Sequence, residues 1–117
     1  MSERKAVRAP EPPKAFRDFT RRYPDVAEAY DRLGEEVRRA GPLSPREVAL
    51  VKLGISVGAR MQGAAHAHAR KARAQGIDPA AIEHVALLSC PTIGFPNMMA
   101  ALAWVRDASE VNKPKTS

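Results

Sequence analysis

The sequence predicts an all-α protein, a bundle of about six helices. Of its 117 residues, 44% are hydrophobic but only 5% are aromatic. The core must therefore consist of Ala, Val, Leu, Ile and Met, whose small side chains let helix axes approach closely. Apolar residues recur at helical spacing, and no segment alternates as a strand does. A chain of this length forms one domain at most, and other subunits can complete its core.

The predicted domain covers residues 14–110, between two flexible ends. Residues 1–13 combine prolines with charged residues and have too few apolar side chains to fold alone, so we expect a flexible N-terminal arm. Residues 111–117 are predicted as a flexible tail. The arm is charged where a signal peptide needs an apolar segment, and no apolar run approaches the roughly 20 residues that span a bilayer. We therefore expect a cytoplasmic protein without a membrane segment.

The first two predicted helices are separated by a proline. The first, residues 15–23, places Phe16 and Phe19 on one face. Pro24 suits the first turn of a second helix that runs to about residue 40, because the N–H that proline lacks has no partner there. The second helix carries one apolar stripe, formed by Val26, Tyr30, Leu33 and Val37.

The third predicted helix follows a start of the capping-box type at Ser44, Pro45 and Glu47. This helix is apolar on two sides, with Val48, Val51 and Ile55 on one side and Leu50, Leu53 and Val57 on the other. A helix of this kind must be buried on more than one side, by its own fold or by another subunit.

Three further helices are predicted after a break at residues 58–60. An alanine-rich helix, about residues 61–75, is closed by Gly76. Asp78 and Pro79 start the next helix. Its residues predicted to face the core are Ile82, Val85, Ala86 and Leu88. Residues 91–96 are predicted as a break before a last helix, about residues 96–110. Its apolar stripe consists of Met98, Leu102 and Val105, with Trp104 beside it.

The net charge of +6 and the pI near 10 raise the possibility of an anionic partner. Much of the excess lies at the two ends, and basic tails are more often solubilising than specific. Within the domain, Arg70, Lys71 and Arg73 are spaced around a helix, as on a solvated face. A nucleic-acid-binding role would rest on charge alone, so we expect no nucleic-acid partner.

We predict no cofactor and no metal. The single cysteine, Cys90, excludes an intrachain disulfide and any site of paired cysteines within one subunit. It lies in an apolar run and is interpreted as a small buried residue. The sequence has no glycine-rich phosphate loop. His66 and His68 project about 200° apart on a helix, which argues against a metal ion held by both.

The order of these segments resembles the carboxymuconolactone decarboxylase family, which includes the AhpD-like alkylhydroperoxidases. The resemblance covers about residues 15–110. It rests on LSPRE before an apolar helix, a small-residue helix with histidine, the pattern AxxxGIxPxxIxxVxLL, and GFP at residues 94–96. It implies an AhpD-like helical fold assembled into trimers or hexamers, with active sites at or near subunit contacts.

The AhpD-like relatives use a Glu, a Cys-x-x-Cys pair and a His. The histidine position falls on His68 when counted back from Gly76, and on His66 when counted forward from Glu47. The cysteine positions are then occupied by Met61 and Ala64, or by Ala59 and Gln62. Neither count finds a cysteine, and the attacking thiolate of such a peroxidase must be resolved by a second sulfur. We therefore expect no thiol peroxidase activity.

The decarboxylase branch of the family needs no cysteine. It moves a proton while carbon dioxide leaves a lactone acid, which requires a general acid or base and a cation for the carboxylate. The candidate catalytic residues are His68, which is favoured, Glu47 and His66. The candidate substrate-binding residues are Arg60, Met61, Gln62 and Arg70. Glu47 has an alternative role as a capping residue, and His84 is interpreted as a surface or helix-packing residue.

Two functions follow from this resemblance. The first is a small-molecule enzyme, a proton-transfer or decarboxylase-like protein that acts on a lactone or carboxylic acid without thiol redox chemistry. The second is a non-catalytic oligomeric binding protein that kept the fold after losing the peroxidase thiols, and the missing cysteines favour it. Both predict a homo-oligomer with a small-molecule ligand.

Overall fold

The computed structural model describes the backbone of residues 13–110 and the side chains of residues 13–106. Seven helices lie in this range: α1 (Lys14–Arg22), α2 (Pro24–Arg39), α3 (Pro45–Gly58), α4 (Gln62–Ala74), α5 (Pro79–Leu88), α6 (Cys90–Ile93) and α7 (Phe95–Glu110). No strand occurs among the described residues, which confirms the all-α class. The predicted N-terminal arm, apart from Pro13, and the predicted tail lie outside these residues.

The described chain divides into two compact units, residues 13–44 and residues 45–110. None of its helices combines the length and the apolar character that crossing a membrane requires. The predicted cytoplasmic location stays a prediction.

The unit of residues 13–44 consists of α1 and α2, which contact each other. Pro24 lies in the first turn of α2, as predicted. The rings of Phe19 and Tyr23 lie 5.5 Å apart at the junction of the two helices. The predicted apolar stripe of α2 lies on the surface of the single chain, with every member between 55% and 66% exposed: Val26, Tyr30, Leu33 and Val37. Ala27 is the buried residue of α2.

The unit of residues 45–110 is built around α4, which packs between α3 and α7. Three alanines of α4 are fully buried at this double contact: Ala65, Ala69 and Ala72. Because alanine adds little bulk, both neighbouring helices can approach α4 closely. The largest fully buried side chains are Leu53 of α3, Ile82 of α5 and Val105 of α7. The core is thus formed by small and aliphatic side chains, as the composition predicts.

Helix α3 is apolar on two sides but is buried on only one within the single chain. Leu53 and Val57 are buried in the core. On the other side, Val51 is 47% exposed and Ile55 is 65% exposed. The chain's own fold therefore accounts for one of the two predicted sides.

Two features of the region after α4 were predicted correctly. The side chain of Asp78 accepts a hydrogen bond of 3.0 Å from the backbone N–H of Ala80, as expected of a capping residue. Gly76 has a positive φ of 85°. The N–H of Ile77, the residue after it, donates to the carbonyl of Ala72 at 3.0 Å. This pattern is a Schellman cap, in which Gly76 has the left-handed conformation that glycine adopts without strain.

Two details of the prediction were wrong. The predicted break at residues 91–96 contains the short helix α6, because the carbonyl of Ser89 accepts hydrogen bonds from the N–H groups of Thr92 and Ile93. The break is confined to Gly94, which has a φ of 102°. Leu88 was expected in the core but is 55% exposed, since it lies at the end of α5 beside a surface groove.

Candidate functional site

The two histidines of α4 lie on opposite sides of its buried alanine stripe. Both are half-buried. A separation of two residues turns the helix by about 200°, so each ring faces a different neighbourhood. The predicted site residues therefore divide between two faces of one helix.

His68 lies in a basic environment formed by two helices. The pKa of His68 is lowered from its ordinary value of 6.5, first by burial and then by the positive charges of Lys71 and Lys52. Lys71 is three residues further along α4, on the same face. Lys52 belongs to α3, the helix packed against α4. The lowered pKa favours the neutral imidazole at pH 7, in which one ring nitrogen carries a lone pair that can accept a proton.

Lys52 and Lys71 were not among the predicted site residues. Lys52 is an isolated charged residue in an apolar helix. Because a charged side chain needs a solvated or functional position, such a residue can be recognised in the sequence as a candidate site residue. Lys71 was assigned to a solvated basic face. It is exposed, yet its charge acts on His68.

Glu47, the predicted proton-relay partner, is exposed in the first turn of α3. Glu47 and Lys52 are five residues apart, which separates their directions by about 140° around the helix. The charges that act on His68 are those of Lys71 and Lys52. A relay between Glu47 and His68 stays a prediction, as does the capping role of Glu47.

His66 lies with two other predicted residues on the opposite face of α4. Nε2 of Gln62 lies 3.5 Å from Nε2 of His66, at the outer limit of a hydrogen bond. Gln62 precedes His66 by one turn, and Arg70, which is half-buried, follows it by one turn. Gln62 therefore contacts His66 and not His68.

Arg60 and Met61 lie in the loop between α3 and α4. Arg60 has a positive φ of 60°, at the position of a Schellman cap that glycine usually occupies. The cap is formed by the Met61 N–H, which donates to the carbonyl of Ser56 at 3.0 Å. The guanidinium carbon of Arg60 lies 5.4 Å from the centroid of the Trp104 ring. This cation–π contact engages Arg60 with α7, while Met61 is 57% exposed.

A groove of about 470 Å³ lies along α3, α5 and α6. Its lining contains His84, which is exposed and had been interpreted as a surface or packing residue. Its lining does not contain His66 or His68. The complete lining is Arg46, Leu50, Val51, Gly54, Val57, Gly58, Ala81, His84, Val85, Leu88, Ser89, Thr92 and Ile93.

A model of the carboxymuconolactone decarboxylase family matches residues 24–107, well over half of the chain. The chain belongs to this family. The match begins at the first turn of α2 and ends within α7. No curated protein and no solved structure matches the chain.

This carboxymuconolactone decarboxylase family member carries a single cysteine, so the Cys-x-x-Cys pair of the AhpD-like relatives is missing. Cys90 is half-buried and packs against the core. Among the residues that the structure describes, no group of three or more His, Cys, Asp or Glu side chains could hold a metal ion.

Proposed function

We propose that this carboxymuconolactone decarboxylase family member is a proton-transfer enzyme, of decarboxylase type, that acts on a small lactone or carboxylic acid without thiol redox chemistry. The observation that supports the proposal is the half-buried His68, whose pKa is lowered by burial, Lys71 and Lys52. A neutral imidazole is an effective general base near pH 7. Two ammonium groups that act on it also attract an anionic substrate to the same place.

In the proposed reaction, Lys71 and Lys52 bind the substrate carboxylate, and the neutral imidazole of His68 takes up a proton from the solvent. Binding of the anion offsets the charge of the lysines, which raises the pKa of His68 and strengthens it as a base. When carbon dioxide leaves, its bonding electron pair stays on the substrate carbon. The imidazolium then gives its proton to this carbanion, so His68 ends the cycle neutral and one proton from the solvent replaces the carbon dioxide on the substrate.

Paired histidine variants test the role of His68. His68→Ala should abolish turnover of a carboxymuconolactone-type acid, followed by absorbance. His66→Ala is the matched control, because it removes the same side chain from the opposite face of α4, and it should retain turnover. Lys52→Gln should raise KM more than it lowers kcat, because it weakens binding of the carboxylate. Unchanged turnover in His68→Ala would contradict the proposed base.

The alternative function is a non-catalytic, oligomeric small-molecule-binding protein, which the missing Cys-x-x-Cys pair favours. This alternative predicts no turnover of any lactone acid by the wild-type protein. It also predicts that the His68→Ala variant still binds the ligand that the wild-type protein binds. Binding without turnover, measured on the same acid by calorimetry and absorbance, would favour the alternative over the enzyme.

We further propose that the protein forms a homo-oligomer, a trimer or a hexamer. Support comes from the apolar side of α3, where Ile55 is 65% exposed, and from the exposed apolar stripe of α2. Burying such surfaces against another copy removes apolar area from water. Sedimentation velocity should show an oligomer for the wild type and a smaller species for Ile55→Glu. Ala103→Glu, at an exposed position of α7, is the matched control and should leave the oligomer intact.

A further inference from the structure

The groove along α3 and α5 has predominantly apolar walls. The helices come close at Gly54, where an added Cβ would lie 3.7 Å from Cγ1 of Val85. Because Gly54 has no side chain, the groove stays open beside this contact. Its aliphatic lining consists of Leu50, Val51, Val57, Val85, Leu88 and Ile93. At about 470 Å³, the groove falls within the range of about 300–1,000 Å³ that is usual for small-molecule sites.

The polar groups of the groove favour an anion. Its lining includes the guanidinium of Arg46 and the imidazole of His84 but no acidic side chain. Within the described residues, neither Arg46 nor His84 forms a side-chain hydrogen bond or an ion pair. The Ser89 hydroxyl donates to the carbonyl of Ala86 at 2.6 Å, and the Thr92 hydroxyl donates to the carbonyl of Leu88 at 2.8 Å. Arg46 thus supplies a permanent positive charge that no carboxylate of the groove neutralises.

We propose that this groove binds an elongated monocarboxylic acid with an apolar body. The carboxylate pairs with Arg46, whose planar guanidinium matches a carboxylate through two parallel hydrogen bonds. The apolar body lies along the aliphatic walls. Arg46 precedes Gly54 by eight residues, or about 12 Å along α3, and both line the groove, so the groove extends over more than two turns of this helix. An elongated ligand spans this length, and a compact one does not.

The groove is separate from the surroundings of His68. Gly54 and Lys52 are two residues apart on α3, so their directions differ by about 160°. Lys52 acts on His68, whereas Gly54 lines the groove. The inference therefore does not rest on the proposed reaction. It concerns a second ligand site on another side of the same helix.

The chemical class of the ligand is tested by calorimetric titration of the full chain with three probes of equal length: octanoate, octanol and octylamine. Octanoate should bind more tightly than octanol, and octylamine should bind least. Arg46→Gln should weaken octanoate at least tenfold and leave octanol unchanged. Arg32→Gln removes the same charge from α2, at an exposed position, and should leave octanoate binding unchanged.

The position of the ligand is tested by filling the groove. Val51→Trp places a bulky ring at an exposed lining position and should abolish octanoate binding, with helicity by circular dichroism confirming the fold. Ile55→Trp, one turn further on α3 and absent from the lining, should retain binding. His68→Ala should also retain it, which separates this site from the proposed reaction.

Three results would overturn the inference. The first is no octanoate binding at millimolar concentration. The second is equal binding of octanoate and octanol that Arg46→Gln does not change. The third is a groove occupied by a second copy of the chain. In that case Val51→Trp would dissociate an oligomer, and no probe would bind at any protein concentration.

Discussion

The two sides of α3 predict opposite responses to the same kind of truncation. Leu53 is fully buried, whereas Ile55, two residues away on the same helix, is 65% exposed. Leu53→Ala removes part of the core. Ile55→Ala removes a side chain that water largely surrounds in the single chain. The pair is well matched, because both variants replace a four-carbon aliphatic side chain by alanine in the interior of one helix.

The expected magnitudes differ severalfold. Truncation of a fully buried leucine to alanine costs about 2–5 kcal/mol, because transfer energy is lost and a cavity remains. With about one third of its surface removed from water, Ile55 contributes only about 0.5–1 kcal/mol. A domain of this size is stable by about 5–15 kcal/mol. At about 5 °C per kcal/mol, Leu53→Ala should therefore lower Tm by about 10 °C or more, and Ile55→Ala by about 5 °C or less.

Urea unfolding followed by circular dichroism, at a low and a high protein concentration, measures both variants. At low concentration the free energy of unfolding should follow the predicted order. A loss for Ile55→Ala that equals the loss for Leu53→Ala in the dissociated chain would refute the assignment of the two sides. A loss for Ile55→Ala that grows with protein concentration would instead indicate that a second copy covers Ile55, since association adds to stability only when partners are bound.

Three further predictions follow from the structure. His68 should titrate by NMR below its ordinary pKa of 6.5, and Lys52→Met should raise that pKa; no change would contradict the proximity of Lys52. The pKa of His68 is lower in the folded chain than in the unfolded chain, so its contribution to the free energy of unfolding is fully present above pH 6.5. This contribution is lost as the pH falls from 6.5 through the lowered pKa. His68→Ala should flatten that part of the stability profile. Asp78→Ala should destabilise the protein by about 1 kcal/mol through loss of the α5 cap, and Asp78→Asn should recover most of it in thermal unfolding. Gly76→Ala should lower the free energy of unfolding by about 1–2 kcal/mol, because the φ of 85° at this position is strained for residues with a side chain. Gly41→Ala is the control: no atom lies within 4 Å of the added Cβ, and the variant should lose little stability.

The sequence alone was enough to predict six of the seven helices of the described residues, most of their ends and the family. These features depend on local chemistry, since apolar spacing, capping side chains, proline and glycine act within a few residues of themselves. Asp78, Gly76 and Pro24 each have the predicted role for this reason. The two apolar sides of α3 were also evident, because helical periodicity alone determines which residues share a side.

The tertiary structure decided which residues meet. Periodicity indicates that His66 and His68 face different ways, but it contains no information about which helix packs against each face. The packing of α3 on α4 brings the charge of Lys52 to bear on His68. In the same way, Leu88 lies beside a groove rather than in the core, and His84 lines that groove. Contacts between helices depend on packing angles and on residues distant in the chain, so only the folded structure determines the environment of each candidate residue.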